Sequence, residues 1–503
     1  MRLLILIILL IRSISCTKYD VAVIGGGLSG LTTAYRLLQN KLKVIVIEGD
    51  TELGGRTRSE LYLGNMQISV GGTWSLGENT ATMYLAEEID SVPDILPSKL
   101  KYFGLYRVVK APILLIKLWL MGYEVSYNYK NYWEADTAEY LDNYPLSQWL
   151  KDQELEYGET AIKAVRDYLI IMETYPRDMN LSTLFACQYI YNRLRILDDN
   201  GGLYSNGVYR WENGTSMFIN KLSQQIKSLG GEILTNTKVD TIDWSNEVII
   251  NNNIRVKKVV IATSLKASGN IKYVPSLPNV YNKLFESSVP FDDPSHQIIL
   301  IYKSKWWINE GGVILPDPDT ENDEIWGSMF DLTPKDDTRG VLRILVWSKH
   351  MENKTLEQTK ASVFTYLKSF YLDSMIQDKI ENELLLFDCY NWKEKQELIP
   401  SVNYIYPPDG TLFKYGSALR TNINNKIYWA GAERARNGQH WMEGAISRGN
   451  EVAAEILNTS HLVWMTSYRS WLKYFIKPID LYNILTLIYN FLKIIYKITA
   501  VIV

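Results

Sequence analysis

Gly25, Gly27 and Gly30 lie in the run DVAVIGGGLSGLTTA, and their spacing lets a backbone turn tightly and bring bare amide groups against a pyrophosphate. Glu48 follows eighteen residues beyond Gly30, where an acid accepts hydrogen bonds from the hydroxyls of a ribose. The chemistry on offer is dinucleotide binding. NAD, NADP and FAD are all open at this point, although a 2′-phosphate would clash with Glu48 and disfavours NADP. A second chemical stretch lies some 400 residues away, KIYWAGAERARNGQHWMEGAISRGNEVAAEIL, with Gly431, Glu433, Trp441 and Met442 between an apolar run and an amphipathic one.

Positioning these residues requires particular elements. Val21 to Ile24 form an unbroken apolar run, which fits a strand buried on both faces. Leu31, Ala34, Tyr35, Leu37 and Leu38 then recur at helical spacing, and Val44 to Ile47 predict a second strand ending at Glu48. The far stretch predicts a strand from Ile427 to Ala430, a glycine, an acid, a loop and a long helix. For both segments to touch one ligand they must pack in the same sheet, and that suits an extended FAD better than a compact nicotinamide site. Between them, GGEILTNTKVDTID, VIINNN and VKKVVIAT read as short strands joined by turns. Residues 91–204 carry helical periodicity, as at Ile162 to Met172. Residues 295–350 read as antiparallel strands interrupted by an acidic surface loop at Pro316 to Glu324.

The chain has 503 residues, 47% hydrophobic and 22% charged, which predicts about two globular domains. A net charge of -3 offers no basic field for nucleic acid. Cys16, Cys187 and Cys389 and four scattered histidines make no CxxC or HExxH, so no metal site is expected, and Cys187 and Cys389 read as buried thiols. Arg2, the apolar core Leu3 to Ile11 and small Ser13 and Ser15 ahead of Cys16 predict a secretory signal peptide over 1–16, an uncleaved anchor or a strand-like extension being the alternatives. Sequons at Asn180, Asn213, Asn353 and Asn458 accord with the secretory pathway. In the tail, Asn483, Thr486, Asn490, Lys493 and Lys497 fall on one narrow helical stripe, and the remaining surface is apolar. That pattern predicts a helix lying at a membrane surface, with a helix packed on the protein itself as the alternative.

VIGGGLSGLTTA, Glu48, LGGRTRS, VGGTWSLGENT, IYWAGAE and WMEGAISRGNEVAAEIL together resemble the flavin-containing amine oxidases, collinearly from about Tyr19 to Leu457. The resemblance implies an α/β fold with two domains, a Rossmann-like FAD-binding domain (17–90, 205–268 and 405–460) interleaved with a mixed α+β substrate domain (91–204 and 269–404), and then the membrane-associated tail 461–503. It implies that Gly25, Gly27, Leu28, Ser29 and Gly30 cradle the pyrophosphate and that Glu48 holds the adenosine ribose. Gly55 and Arg56 correspond to a second phosphate contact, Gly72, Thr73 and Trp74 to the segment under the isoalloxazine, and Val239 to the residue whose backbone pairs with adenine. Glu433, beside Gly431, corresponds to the acid on the ribityl chain, and Met442 starts the helix aimed at the flavin's pyrimidine edge.

The chain departs from the family at the reacting end. Many members carry a lysine that holds a water near flavin N5 and aids reaction with oxygen; here that position is Gln297, next to His296. Where the mitochondrial monoamine oxidases carry the cysteine that attaches flavin, this chain has Ser401, which implies non-covalent FAD. Of the aromatic cage that grips the amine, Trp441 forms one wall, Val402 stands where the other aromatic is expected, and Trp392 matches a retained tryptophan. No arginine near GGTW is placed to hold a substrate carboxylate, which favours amines over amino acids. The implied function is FAD-dependent oxidation of a small-molecule amine to an imine, with oxygen as acceptor. Gln297 keeps two alternatives open, a desaturase or dehydrogenase using another acceptor, and a membrane-associated FAD-binding protein without turnover.

Overall fold

The computed structural model describes residues 19–460 apart from short stretches, the longest being 96–109, 200–207, 308–312 and 315–326. The expected signal peptide, the striped tail and the acidic loop lie outside the described residues, as do Ser401 and Val402.

Strand β1 (Tyr19–Ile24), helix α1 (Leu28–Gln39) and strand β2 (Val44–Ile47) open the fold's larger sheet: β1 and β2 pair in parallel, Val21 opposite Val44. Every residue of β2 is buried, as an all-Val/Ile strand covered on both faces must be. Helix α2 (Thr183–Asp199) belongs to the helical region before residue 204. Strand β3 (Glu232–Leu234) adds in parallel to the outer edge of β2, and strand β4 (Ile254–Ile261) adds in parallel to the other edge of β1. A second, five-stranded antiparallel sheet contains strands β5 (His296–Tyr302), β6 (Gly340–Val346) and β7 (Leu384–Asn391), with β5 in register between the other two. The chain then returns to the first sheet through strand β8 (Ile427–Trp429) and leaves in helix α3 (Met442–Leu457). The first half of β4 pairs antiparallel with Val248–Ile250, and its second half pairs in parallel with β8. One strand thereby joins the early and late parts of the chain.

Helix α3 crosses α1 at very short range. A Cβ on Gly449 would stand 2.7 Å from Ser29 O and 2.8 Å from Thr32 Cβ, so no larger residue fits without movement. Polar contacts fix the crossing: Thr33 Oγ1 donates to Gly449 O at 3.2 Å, Arg36 Nε to Asn450 Oδ1 at 2.9 Å, and Gly431 N to Ser29 Oγ at 2.9 Å. With the sheet on one side and α3 on the other, α1 is buried from Leu28 to Leu38.

Gly449→Val therefore overpacks the crossing and should cost about 1–3 kcal/mol of folding stability. Urea unfolding measures it, and an unchanged midpoint would show that the helices can part without loss.

Candidate functional site

Sterics build the turn between β1 and α1. Gly25 has φ 105°, and a Cβ there would meet Ala262 O at 2.9 Å. Gly30 lies on the underside of α1, where a Cβ would be 2.0 Å from Gly25 O. Its role is thus close packing of helix on turn. Glu48 ends β2 with Oε2 accepting from Gly26 N at 2.5 Å and Oε1 from Asp50 N at 2.8 Å. Burial pushes its carboxyl above the usual range, and those two N–H groups pull against it. The following Gly54 bridges Gly27 in parallel, which lays the LGGRT segment against the glycine turn.

A cavity of about 450 Å³ runs between these segments. Gly25, Gly27, Leu28, Ser29 and Glu48 line it from the first turn, and Gly55, Arg56, Gly72, Thr73 and Trp74 from the segments that follow. Val239 and Gln297 line it from the middle of the chain, and Trp392, Gly431, Trp441 and Met442 from the late part. Two residues expected at the ligand do not line it. Gly30 is turned into the packing just described. Glu433 is fully buried behind Arg56, whose Nη2 lies 2.6 Å from Glu433 Oε1. Beyond this ion pair, neither carboxylate oxygen of Glu433 has a hydrogen-bond partner. Burial alone would raise the Glu433 carboxyl; the Arg56 guanidinium, with Arg434, holds it below the usual range.

At the reacting end, Gln297 is buried and its Oε1 has no hydrogen-bond partner. Trp392 is buried with Nε1 donating to Val70 O at 3.0 Å, and Trp441 donates from Nε1 to Tyr189 Oη on α2 at 2.6 Å. Two further residues line the cavity that the sequence did not single out. Arg343 on β6 is 2% exposed and donates from Nη1 to Ser69 O, Gly71 O and Thr73 Oγ1 at 3.0, 3.3 and 2.7 Å. His440 is partly buried, in a left-handed conformation (φ 68°), with both ring nitrogens sealed and unpartnered; burial pushes its pKa down to about 4, so the imidazole is neutral. Phe185 and Tyr189 of α2 lie around its ring. Among the described residues, no group of three or more His, Cys, Asp or Glu is arranged to hold a metal.

Two helix N-termini face this one cavity. Neither Gly27 before α1 nor Trp441 before α3 makes a side-chain cap, so their first N–H groups remain for an anion. Residues 125–457, more than half of the chain, match the family described as flavin containing amine oxidoreductase. The chain belongs to this family. Residues 23–89 also match an NAD(P)-binding Rossmann-like domain, in keeping with β1, α1 and β2. Amine oxidase [flavin-containing] B of Sus scrofa is 26% identical over 475 residues, covering 88% of this chain and 86% of that protein. The probable flavin-containing monoamine oxidase A of Dictyostelium discoideum is 24% identical over 88% of this chain and 98% of its own. The fold is that of cyclohexylamine oxidase from Brevibacterium oxydans IH-35A (TM-score 0.72, 21% identity, covering 88% of this chain and 99% of that one). Wild-type putrescine oxidase bound to putrescine is similarly alike (TM-score 0.71, 22% identity, 88% and 99% covered).

An FAD-dependent oxidoreductase of this family needs a cradle for pyrophosphate and a place for a flavin ring, and the residues present fit both. The Gly25–Ser29 turn and the uncapped N-terminus of α1 offer the cradle. Thr73, Trp74, Gln297, Trp392 and Met442 line the same cavity with apolar surface and one unsatisfied amide.

Arg56→Met removes the nearest positive charge from the buried Glu433 carboxylate and should destabilise the protein by roughly 3 kcal/mol. Because Arg56 lowers the folded pKa of Glu433 and burial raises it once Arg56 is gone, the difference between wild type and variant is full above the variant's raised carboxyl pKa and is lost as pH falls through the lowered wild-type one. Unfolding at a series of pH values checks this; a difference that persists unchanged at low pH would contradict it.

Proposed function

We propose that this chain oxidises a small-molecule amine to an imine with non-covalently bound FAD, and that oxygen is its electron acceptor. The observation that carries the reading is the single cavity that joins two uncapped helix N-termini to a wall of Trp74, Trp392 and Trp441. Bound FAD supplies the two-electron chemistry: the carbon bearing the amine gives up a hydride, the nitrogen loses a proton, and water hydrolyses the resulting imine. Oxygen taking up the two electrons leaves as hydrogen peroxide.

The chain's own residues orient and exclude water. Trp441, fixed by its bond to Tyr189, presents an aromatic wall to an amine, and Trp392, fixed by Val70 O, closes the cavity beside Gln297. No carboxylate base is required of the protein. Relatives whose names give amines as substrates, cyclohexylamine and putrescine among them, support the amine class. Gln297 favours a second reading, a dehydrogenase that passes electrons elsewhere, since a neutral amide offers only a dipole where a lysine would offer charge.

The same reading places the protein in the secretory pathway with its tail at a membrane surface. It is supported by the leader pattern of residues 1–16 and the polar stripe from Asn483 to Lys497. The asparagines of all four sequons, Asn180, Asn213, Asn353 and Asn458, are also exposed. No helix among the described residues is long and apolar enough to cross a membrane.

Anaerobic titration with mono-, di- and polyamines, followed by flavin absorbance, tests the amine reading; a flavin that no amine bleaches would sink it. Gln297→Lys should speed reoxidation of the reduced flavin by oxygen about ten-fold or more, since roughly 1.4 kcal/mol of transition-state stabilisation suffices. Stopped-flow mixing with oxygenated buffer reads the rate, and equal rates in wild type and variant would show that Gln297 does not govern this step.

A further inference from the structure

Arg343 brings a charge to the cavity without a counter-charge. In the second sheet Gln297 lies opposite Leu345, and Ile299 opposite Arg343. Side chains alternate along a strand, so Gln297, Leu345 and Arg343 share one face, and all three line the cavity. The guanidinium is held by two carbonyls and the Thr73 hydroxyl, lies 4.7 Å above the Trp74 ring, and leaves Nε buried with no partner. None of these partners is a carboxylate. Burial, with Arg210 nearby, pushes its pKa down to about 9, which still leaves it cationic at neutral pH. The other cations lining the cavity are paired, Arg56 with Glu433 and Lys238 with Glu397. A buried ion that lacks an opposite charge is costly, and negative charge arriving in the cavity would relieve that cost.

We propose that Arg343 is an electrostatic positioning residue of the flavin site, whose guanidinium stabilises negative charge on the bound flavin ring and so provides a cation that Gln297 does not. The assignment rests on the flavin reading of the cavity. The hydrogen bonds to Ser69, Gly71 and Thr73 fix the charge two residues along the sheet face from the Leu345–Gln297 pair. It therefore concerns charge on the ring and leaves the oxygen step to the Gln297 position.

Sulfite is a suitable probe, because its sulfur lone pair forms a bond to oxidised flavin and leaves an electron pair and negative charge on the ring. Flavin loading is scored first by absorbance, and sulfite is not an amine, so failure of amine oxidation and failure of this assignment are separate results. Arg343→Met should weaken sulfite binding by about ten-fold or more, equivalent to about 1.4 kcal/mol, and Arg343→Lys, which keeps the charge, by no more than about three-fold. Equal weakening in both variants would overturn the proposal in favour of a guanidinium that only shapes the 69–73 turn, and no weakening in Arg343→Met would overturn it outright. Should Arg343→Met yield no flavin-loaded protein, the wild type decides. Its bound flavin is expected to have a midpoint potential above that of free FAD, and a potential at or below that of free FAD overturns the proposal.

Discussion

The cavity depends on the approach of α3 to α1 at Gly449. The shared sheet brings residues 29 and 431 together and the close helix crossing fixes them there, with Ser29 Oγ accepting from Gly431 N and the Gly449 carbonyl accepting from Thr33. A side chain at that point would separate the two uncapped N-termini and open the cavity between them. Buried arginines hold the rest of the late segment to the sheet. Arg448 reaches Trp429 O, Glu451 and Glu455, and Arg434 reaches Thr263 O and Ser268 Oγ, so the loop carrying His440 and Trp441 is anchored from below.

Charge around the cavity follows from this arrangement. The first turn and both helix ends present N–H groups, Arg56 is balanced by a carboxylate behind it, and Arg343 is not balanced. Gln297 and His440 contribute polarity without charge, the latter because burial keeps its imidazole neutral. An anionic ligand with an apolar, polarisable ring meets each of these demands at once.

Much of this was legible in the sequence because the constraints are local. A strand of Val and Ile, a glycine where a Cβ meets a carbonyl at 2.9 Å, and an acid at the next strand's end all leave their mark at fixed spacing, and the Rossmann-like unit followed from them. Gly30 was read as a phosphate contact, but spacing alone does not say which glycine faces the ligand and which faces the helix packing. The resemblance implies Glu433 as a ligand contact, and the ion pair it makes with Arg56 comes from tertiary structure that spacing does not reveal. Arg343 was missed because GVLRILV reads as an ordinary strand with one polar residue. Its importance comes from register with β5 and from the turn at 69–73, nearly three hundred residues earlier in the chain. His440 reads in the sequence as one of four scattered histidines, since only the tertiary structure seals its ring among Phe185, Tyr189 and the cavity.

The central claim is that one cavity, closed by the two helix N-termini, holds one FAD without a covalent bond. Purified protein should show a flavin spectrum, and on denaturation should release about one FAD per chain into the supernatant. A colourless protein that takes up no added FAD would contradict the account of the cavity, and a flavin that stays with the precipitated chain would contradict its non-covalent attachment.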